Sequence, residues 1–86
     1  MYTYTPRGVC SRRIDIQLDG DTVKDVVFTG GCSGNLKAIS KIIKGMPVDH
    51  VIEVFDGNTC GPRPTSCADQ LARALREAKN APEAQV

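Results

Sequence analysis

The sequence predicts a small α+β domain in which a three-stranded antiparallel sheet carries its helices on one face. Alternating apolar and polar residues occupy the first third of the chain, a period of two that is typical of half-buried strands. After Gly30 the apolar residues recur at helical spacing instead. Strands followed by helices favour a segregated α+β arrangement over a parallel, doubly wound sheet. A chain of 86 residues supports one such core.

Three strands are expected, near residues 2–5, 10–18 and 22–29. The first is a short β-prone run that ends at Pro6. In the second, Arg12 alone breaks the alternation, and Cys10 is expected on the core face with the apolar residues that share its phase. Those residues are Ile14, Ile16 and Leu18. The run Asp19-Gly20-Asp21 predicts a turn, so the third strand returns as the second arm of a hairpin.

Three helices are expected, near residues 34–44, 47–56 and 66–79. Their apolar residues at helical spacing are Leu36, Ile39, Ile42 and Ile43, then Val48, Val51, Ile52 and Phe55, then Cys67, Leu71 and Leu75. Ser66 followed by Asp69 fits a capping box at the start of the third helix. Residues 1–79 are therefore expected to form a single domain. The polar, aperiodic residues 80–86 are expected to be a disordered tail.

Composition excludes some classes of partner from first consideration. The 11 basic and 10 acidic residues give a net charge of +1, so no cationic face is indicated and nucleic acid is not an expected partner. No apolar run approaches the roughly 18 to 20 residues that span a bilayer, and the first residues lack the features of a signal peptide. A membrane is therefore not an expected partner, and a cytoplasmic location is. The oligomeric state is left open.

The four cysteines are the most informative feature of the composition. In a protein without an export signal, cysteines serve more often as metal ligands, redox thiols or buried free thiols than as disulfides. No C-x-x-C pair is present, so their spacing alone is a weak indication of zinc. All four lie at predicted element boundaries, however, and are expected to gather at one end of the domain: Cys10, Cys32, Cys60 and Cys67.

Two of these cysteines lie at predicted helix N-termini, where free N–H groups favour the thiolate. Cys32 precedes the first helix and Cys67 lies in the first turn of the third. Thiolate is the form that binds a metal or attacks an electrophile. The residues alone leave metal ligation, redox chemistry and inert burial all open.

The run from Gly30 to Asn35 joins a strand to a helix, an arrangement whose main-chain N–H groups can hold a phosphate. The candidate residues for a nucleotide or flavin phosphate are Gly30, Gly31, Ser33, Gly34 and Asn35, together with Arg63. The alternative is a tight turn in which Ser33 or Asn35 caps the helix. Arg63 has its own alternative, an ion pair with Asp69 or another surface acid.

No complete active site is visible in the sequence. The single histidine, His50, is expected on the polar side of the second helix, apart from the cysteines. No Ser-His-Asp or Cys-His constellation follows from the sequence, so whether the chain is an enzyme is left open.

Three segments together resemble the TSCPD-domain family over residues 1 to about 78: Gly8 to Cys10, Gly30 to Leu36, and Cys60 to Leu71. Members of that family occur as small stand-alone proteins and as the C-terminal domain of vitamin B12-dependent ribonucleotide reductases. The resemblance implies a cysteine-ligated metal, zinc ahead of an iron-sulfur cluster. It also implies an accessory role beside a larger reductase or another protein of nucleotide metabolism and DNA synthesis. Ala68 stands where the family usually has Pro, and the helix is expected to survive that exchange.

A second, weaker similarity is to iron-sulfur-cluster scaffold proteins. Cys10, Cys32 and either Cys60 or Cys67 match their cysteine pattern in order, whereas Arg12 stands where that family has Asp. This similarity implies a scaffold-like fold, and it adds a redox or cluster carrier to the alternatives.

Overall fold

The computed structural model describes residues 1–59 and 61–85, and it confirms the α+β class. The elements are β1 (Tyr2–Tyr4), β2 (Ser11–Asp19), β3 (Thr22–Gly30), α1 (Ser33–Ile43), α2 (Val48–Phe55), α3 (Cys67–Ala78) and a 3-10 turn (Pro82–Ala84). Every predicted strand and helix is present, and each boundary lies within about one residue of its expected position.

The sheet is antiparallel, in the order β1-β2-β3, so β2 is the central strand. Ile16 lies opposite Tyr2 on one side and Val26 on the other. The pairing of β2 with β3 is irregular between Ser11 and Arg13, where one extra residue enters β2. This bulge explains why Arg12 interrupts the alternation in the sequence.

The core lies between the sheet and α3. The apolar residues of β2 and of α3 are fully buried against one another: Ile14, Ile16, Leu18, Leu71, Ala74, Leu75 and Ala78. Helix α2 packs on α3 and adds Val48, Val51 and Ile52 to the same cluster. Burial of these side chains is the main force that holds the domain together.

Helix α1 runs back along β3, one of the two edge strands of the sheet. It starts just after β3 ends, and the turn that follows it returns to the start of β3, where Val23 accepts from the N–H of Gly45 and donates to the carbonyl of Met46. Ile43 is buried on the inner side of α1. Ile42 was expected on the same face as Ile43 but is 68% exposed. Consecutive residues are about 100° apart around the helix axis, so Ile42 faces solvent while Ile43 faces the core.

The prediction of a disordered tail is wrong for residues 80–85. Pro82–Ala84 form the 3-10 turn, and the Ala84 side chain is completely buried in the core. Gln85 forms a bridge with Leu18 and accepts a hydrogen bond from the N–H of Gly20 at 3.1 Å. Two small apolar residues, Ala81 and Ala84, anchor this segment, and two such residues produce no periodicity that a sequence pattern could reveal. Val86 lies outside the described residues.

Within residues 1–59 and 61–85, no helix has both the length and the apolar character needed to cross a membrane.

Candidate functional site

The cysteine site is built around two thiols that lie far apart in the sequence. The Sγ atoms of Cys10 and Cys67 are 3.9 Å apart, and Ser11 Oγ forms a hydrogen bond with Cys67 Sγ at 3.3 Å. Cys10 immediately precedes β2, while Cys67 is the first residue of α3. The site therefore joins the start of the central strand to the N-terminus of the helix that packs on it.

Cys10 was expected on the core face, and that prediction is wrong. The bulge at Arg12 shifts the phase of β2 by one residue, so Ser11 is buried and Cys10 is exposed. The bulge thus turns the Cys10 thiol outward, toward Cys67. Cys67, also expected among core residues, is only half-buried.

Cys32 lies beside this pair. Its main-chain N–H is the strongest of the groups that lower the pKa of the Cys10 thiol, followed by a hydrogen bond with Cys67 and the positive charge of Arg63. The Cys32 side chain is exposed and makes no capping hydrogen bond to α1. Of the four predicted cysteines, three therefore come together, although Cys32 does so through its main chain. Cys60 lies outside the described residues.

Two thiols do not make a complete metal site. In the part of the chain that the structure describes, no group of three or more His, Cys, Asp or Glu side chains is arranged to hold a metal ion. The described residues thus supply a pair of adjacent sulfur ligands, and further ligands would have to come from movement of the Cys32 side chain or from Cys60.

The glycine run is shaped to pass over Cys10. Gly31 has a φ of +78°, a conformation that favours glycine, and a Cβ atom there would lie 3.2 Å from Cys10 Sγ and 3.0 Å from a methyl carbon of Leu36. Gly30 has a φ of +82°. Gly34 differs, because it is helical and a Cβ there would meet nothing within 4 Å. Gly30 and Gly31 are therefore needed by the turn itself.

The predicted cap of α1 is not formed. Ser33 is the first residue of the helix rather than its cap, Asn35 lies within the helix, and both are exposed. The N-cap residue is Cys32, and no side chain caps the first turn. The free N–H groups of this turn leave it polar and accessible.

The predicted capping box of α3 is half formed. Ser66 Oγ accepts from the N–H of Asp69 at 3.1 Å, as expected of an N-cap, and donates to the carbonyl of Asn58 at 2.6 Å. The Asp69 carboxylate accepts from the N–H of Gly57 at 2.8 Å instead of returning to its own helix end. The bond from Ser66 to Asn58 and the bond from Gly57 to Asp69 connect the two ends of the loop between α2 and α3, and so position Cys67.

Asp69 is also the centre of a buried hydrogen-bond network. Its side chain is 4% exposed and accepts a hydrogen bond from the Thr65 hydroxyl. That bond, the Gly57 N–H and the charge of Arg73 at 3.5 Å lower the pKa of the Asp69 carboxyl. Arg63 was considered as the partner of Asp69, and the structure pairs Asp69 with Arg73 instead. Arg63 is exposed, and its charge acts on Cys10.

Sequence reasoning missed Thr65 and Gln70, which complete this network. Gln70 donates to Thr65 Oγ1 at 3.0 Å and accepts from the Tyr4 hydroxyl at 3.2 Å and from the N–H of Arg7 at 3.1 Å. The network therefore ties the start of α3 to β1 and to the segment that leads to Cys10. One signal was available: Gln70 lies three residues after Cys67, on the face of α3 that is otherwise apolar.

Fold and site together define a small α+β domain with a cysteine pair between a strand start and a helix N-terminus. The profile of the TSCPD domain matches residues 2–79 of the chain, so the chain belongs to the TSCPD domain family. No curated protein and no solved structure gives a significant match.

Proposed function

We propose that this TSCPD domain is a small accessory module that binds one zinc ion through cysteine thiolates. The observation that carries the proposal is the 3.9 Å separation of Cys10 Sγ and Cys67 Sγ. In a tetrahedral zinc site with Zn–S bonds near 2.3 Å, neighbouring sulfur atoms are about 3.8 Å apart. The pair is thus spaced as two ligands of one ion before any metal is added.

The remaining ligands proposed are Cys32 and Cys60. The Cys32 main-chain N–H already lies beside the Cys10 sulfur, so Cys32 adjoins the pair. Cys60 is two residues from Asn58 in the sequence, and Asn58 is bonded to Ser66, the neighbour of Cys67. Four thiolates suit zinc, and a main-chain N–H donor to a sulfur ligand is typical support for such a site.

The accessory role follows from family membership together with the small size of the domain. Members of the TSCPD family occur as the C-terminal domain of vitamin B12-dependent ribonucleotide reductases, so the partner we propose is a larger reductase or another protein of nucleotide metabolism. On this proposal the metal is structural, and it fixes the relative positions of the cysteine-bearing segments that the partner recognises.

Metal analysis of protein purified under reducing conditions tests the proposal. We expect one zinc per chain, no visible colour, and loss of the zinc in Cys10→Ser and Cys67→Ser. His50→Ala is the matched control, because His50 is exposed on α2 and is not proposed as a ligand. A brown protein that contains iron would favour the iron-sulfur alternative. Protein without metal, which also takes up none on reconstitution with zinc or with iron and sulfide, would refute both.

The same sulfur pair supports a second candidate, a thiol–disulfide redox function. Attack of one thiolate on oxidised glutathione would form a mixed disulfide and release one glutathione. Attack of the second thiolate would then form the Cys10–Cys67 bond and release the other glutathione, a two-electron oxidation of the protein. Mass spectrometry of metal-free protein in glutathione buffers tests this candidate. Loss of two mass units, abolished by Cys67→Ser and prevented by bound zinc, would show that the pair cycles only when metal is absent.

A further inference from the structure

A groove of about 500 Å³ lies between β3 and α1, apart from the cysteine pair. One wall is the strand segment Asp25 to Phe28, and the other is the side of α1 that faces the strand. The α1 residues that line it are Ser33, Leu36, Lys37, Ser40 and Lys41, with Lys44 just beyond the helix end. The groove follows from the way α1 runs back along the edge strand, so it is a product of the fold and not of one mobile loop.

Apolar side chains are accessible in this groove. Val27 is 44% exposed, although it lies in the middle of a strand, and Phe28 beside it is only partly buried. Leu36 is buried and closes the end near the glycine turn. Val27 and Phe28 are consecutive in β3, so their side chains lie on opposite faces of the sheet. A ligand with a flat ring or an acyl chain along the β3 edge would cover Val27 and the accessible part of Phe28, which is favourable in proportion to the apolar area covered.

The helical wall of the groove is basic. Lys37, Lys41 and Lys44 recur at i, i+4 and i+7, so they lie along one side of α1 and its end. Asp25 is the acid in the lining, and it pairs with Lys44 at 3.8 Å. Among the described residues, Lys37 and Lys41 form no ion pair. Three lysines and one aspartate give the lining a formal charge of +2, on a chain whose net charge is +1.

We propose that this groove binds a small organic anion whose apolar body lies on Val27 and Phe28 and whose phosphate or carboxylate pairs with Lys37 and Lys41. Its volume lies within the range of about 300 to 1,000 Å³ that is typical of small-molecule sites. Ser33 and Ser40 also line the groove, and either can offer a hydroxyl as a hydrogen-bond donor. The proposed ligand lies along α1. Of the residues that the sequence predicted to bind a phosphate, Gly34, Asn35 and Arg63 do not line this groove.

The groove is independent of the proposed zinc function. Among residues 1–59 and 61–85 no cysteine lines it, and the two places meet at the turn of Gly30 and Gly31. A ligand with an apolar body and an anionic head could be a nucleotide such as FMN or a fatty-acid-like carboxylate such as decanoate. Each has a neutral counterpart without the anionic group, riboflavin for FMN and decanol for decanoate, so the contribution of the charge can be measured directly.

Titration of the zinc-analysed, isotope-labelled protein with these four probes, followed by NMR amide shifts and by calorimetry, tests the proposal. We expect FMN or decanoate to bind about tenfold or more tightly than its neutral counterpart, with shifts concentrated in residues 25–28 and 33–44. Higher salt should weaken the binding. Which of the two anions binds identifies the source of the ligand.

Charge reversal at two lysines provides the variant test. Lys37→Glu with Lys41→Glu should weaken binding by about tenfold or more, because each exchange replaces an attraction by a repulsion. Lys24→Glu is the control, since Lys24 is exposed on β3 but does not line the groove. The affinity of this variant for the anionic probe should stay unchanged. Lys37→Gln with Lys41→Gln serves if the reversed variant fails to fold.

Three results would overturn the proposal: no groove shifts with either anion at millimolar concentration, equal affinity for the charged and neutral probes, or equal weakening by the Lys24 control. Binding of an extended acidic peptide to the β3 edge without binding of either small anion would also overturn it. Zinc content measured on every variant separates this result from the proposed function, because loss of groove binding should leave the zinc in place.

Discussion

Gly31 is the residue whose backbone most directly constrains the cysteine pair. Its φ is +78°, and an added Cβ would press on Cys10 Sγ and on Leu36. We expect Gly31→Ala to lower the free energy of unfolding by about 1 to 3 kcal/mol and to weaken metal binding. Gly34→Ala is the control, because Gly34 is helical and open; it should be neutral or more stable by up to about 1 kcal/mol. Urea denaturation measures both, and equal effects would contradict the assignment of Gly31 to the site.

Tyr2 provides a prediction that depends on pH. Its hydroxyl donates to Glu77 Oε1 at 2.5 Å, and this bond to a carboxylate raises the pKa of Tyr2 to about 12. The bond therefore contributes stability below about pH 10, the pKa of an unfolded tyrosine, and that contribution is lost as the pH rises toward 12. In a Tyr4→Phe background, ultraviolet titration of the remaining tyrosine should give a midpoint near 12. Glu77→Gln should lower that midpoint, and an unchanged midpoint would count against the bond.

The N-terminus of α3 depends on Asp69 more than on any surface pair. The Asp69 carboxylate is buried and accepts from Thr65 and Gly57, so Asp69→Asn should destabilise the domain by about 1.5 to 3 kcal/mol. Because the pKa of Asp69 is lowered, its contribution is present at neutral pH and is lost as the pH falls below about 3.9. Asp56→Asn breaks only the exposed pair with Arg76 and should change stability little. Thermal melts at pH 7 and pH 3 compare them, and an Asp69→Asn protein as stable as the parent would exclude this role.

The element boundaries could be predicted because each depends on local signals: period two in the strands, helical spacing in the helices, and Ser66 as a cap. Features that depend on contacts between distant segments could not. The bulge at Arg12 reverses the phase of Cys10, and the main-chain bonds of Val23 place α1 beside β3 and create the groove. The approach of Cys10, Cys32 and Cys67 to one another could be predicted because each lies at an element boundary in the sequence. Thr65 and Gln70 could not be, since their partners lie on other elements.

We expect that the 86-residue chain does not carry out ribonucleotide reduction alone. That reaction needs a radical generator, a nucleotide pocket and a set of redox thiols, whereas the described residues bring together one cysteine pair, with His50 exposed on α2. We expect the purified chain to reduce no ribonucleotide when B12 cofactor and a dithiol reductant are supplied. Product analysis by chromatography tests this, with a complete reductase as positive control. Turnover that survives Cys10→Ser would point to contamination, and turnover that this substitution abolishes would overturn the accessory role.

Metal loss should affect the stability of the entire domain. A folded domain has a net stability of about 5 to 15 kcal/mol, and small ones lie at the lower end. Structural zinc contributes an apparent 10 to 16 kcal/mol, roughly, in small modules, so its removal would outweigh that margin. The proposed ligands join β2, α1 and α3, and we therefore expect a chelator, Cys32→Ser or Cys67→Ser to unfold the protein partly and to release zinc together with part of the helical signal.

Circular dichroism recorded alongside zinc analysis measures this coupling. Ser33→Ala is the matched control for Cys32→Ser, because Ser33 is the exposed neighbour of Cys32 and is not a proposed ligand. Ser33→Ala should keep both zinc and melting temperature. The buried cluster of β2 and α3 does not include the cysteines, so some α3 signal should persist after chelation while the segment before Cys67 loosens first. If substitution of each of the four cysteines leaves zinc content and melting temperature unchanged, the thiols are inert, and the groove beside α1 becomes the better candidate for function.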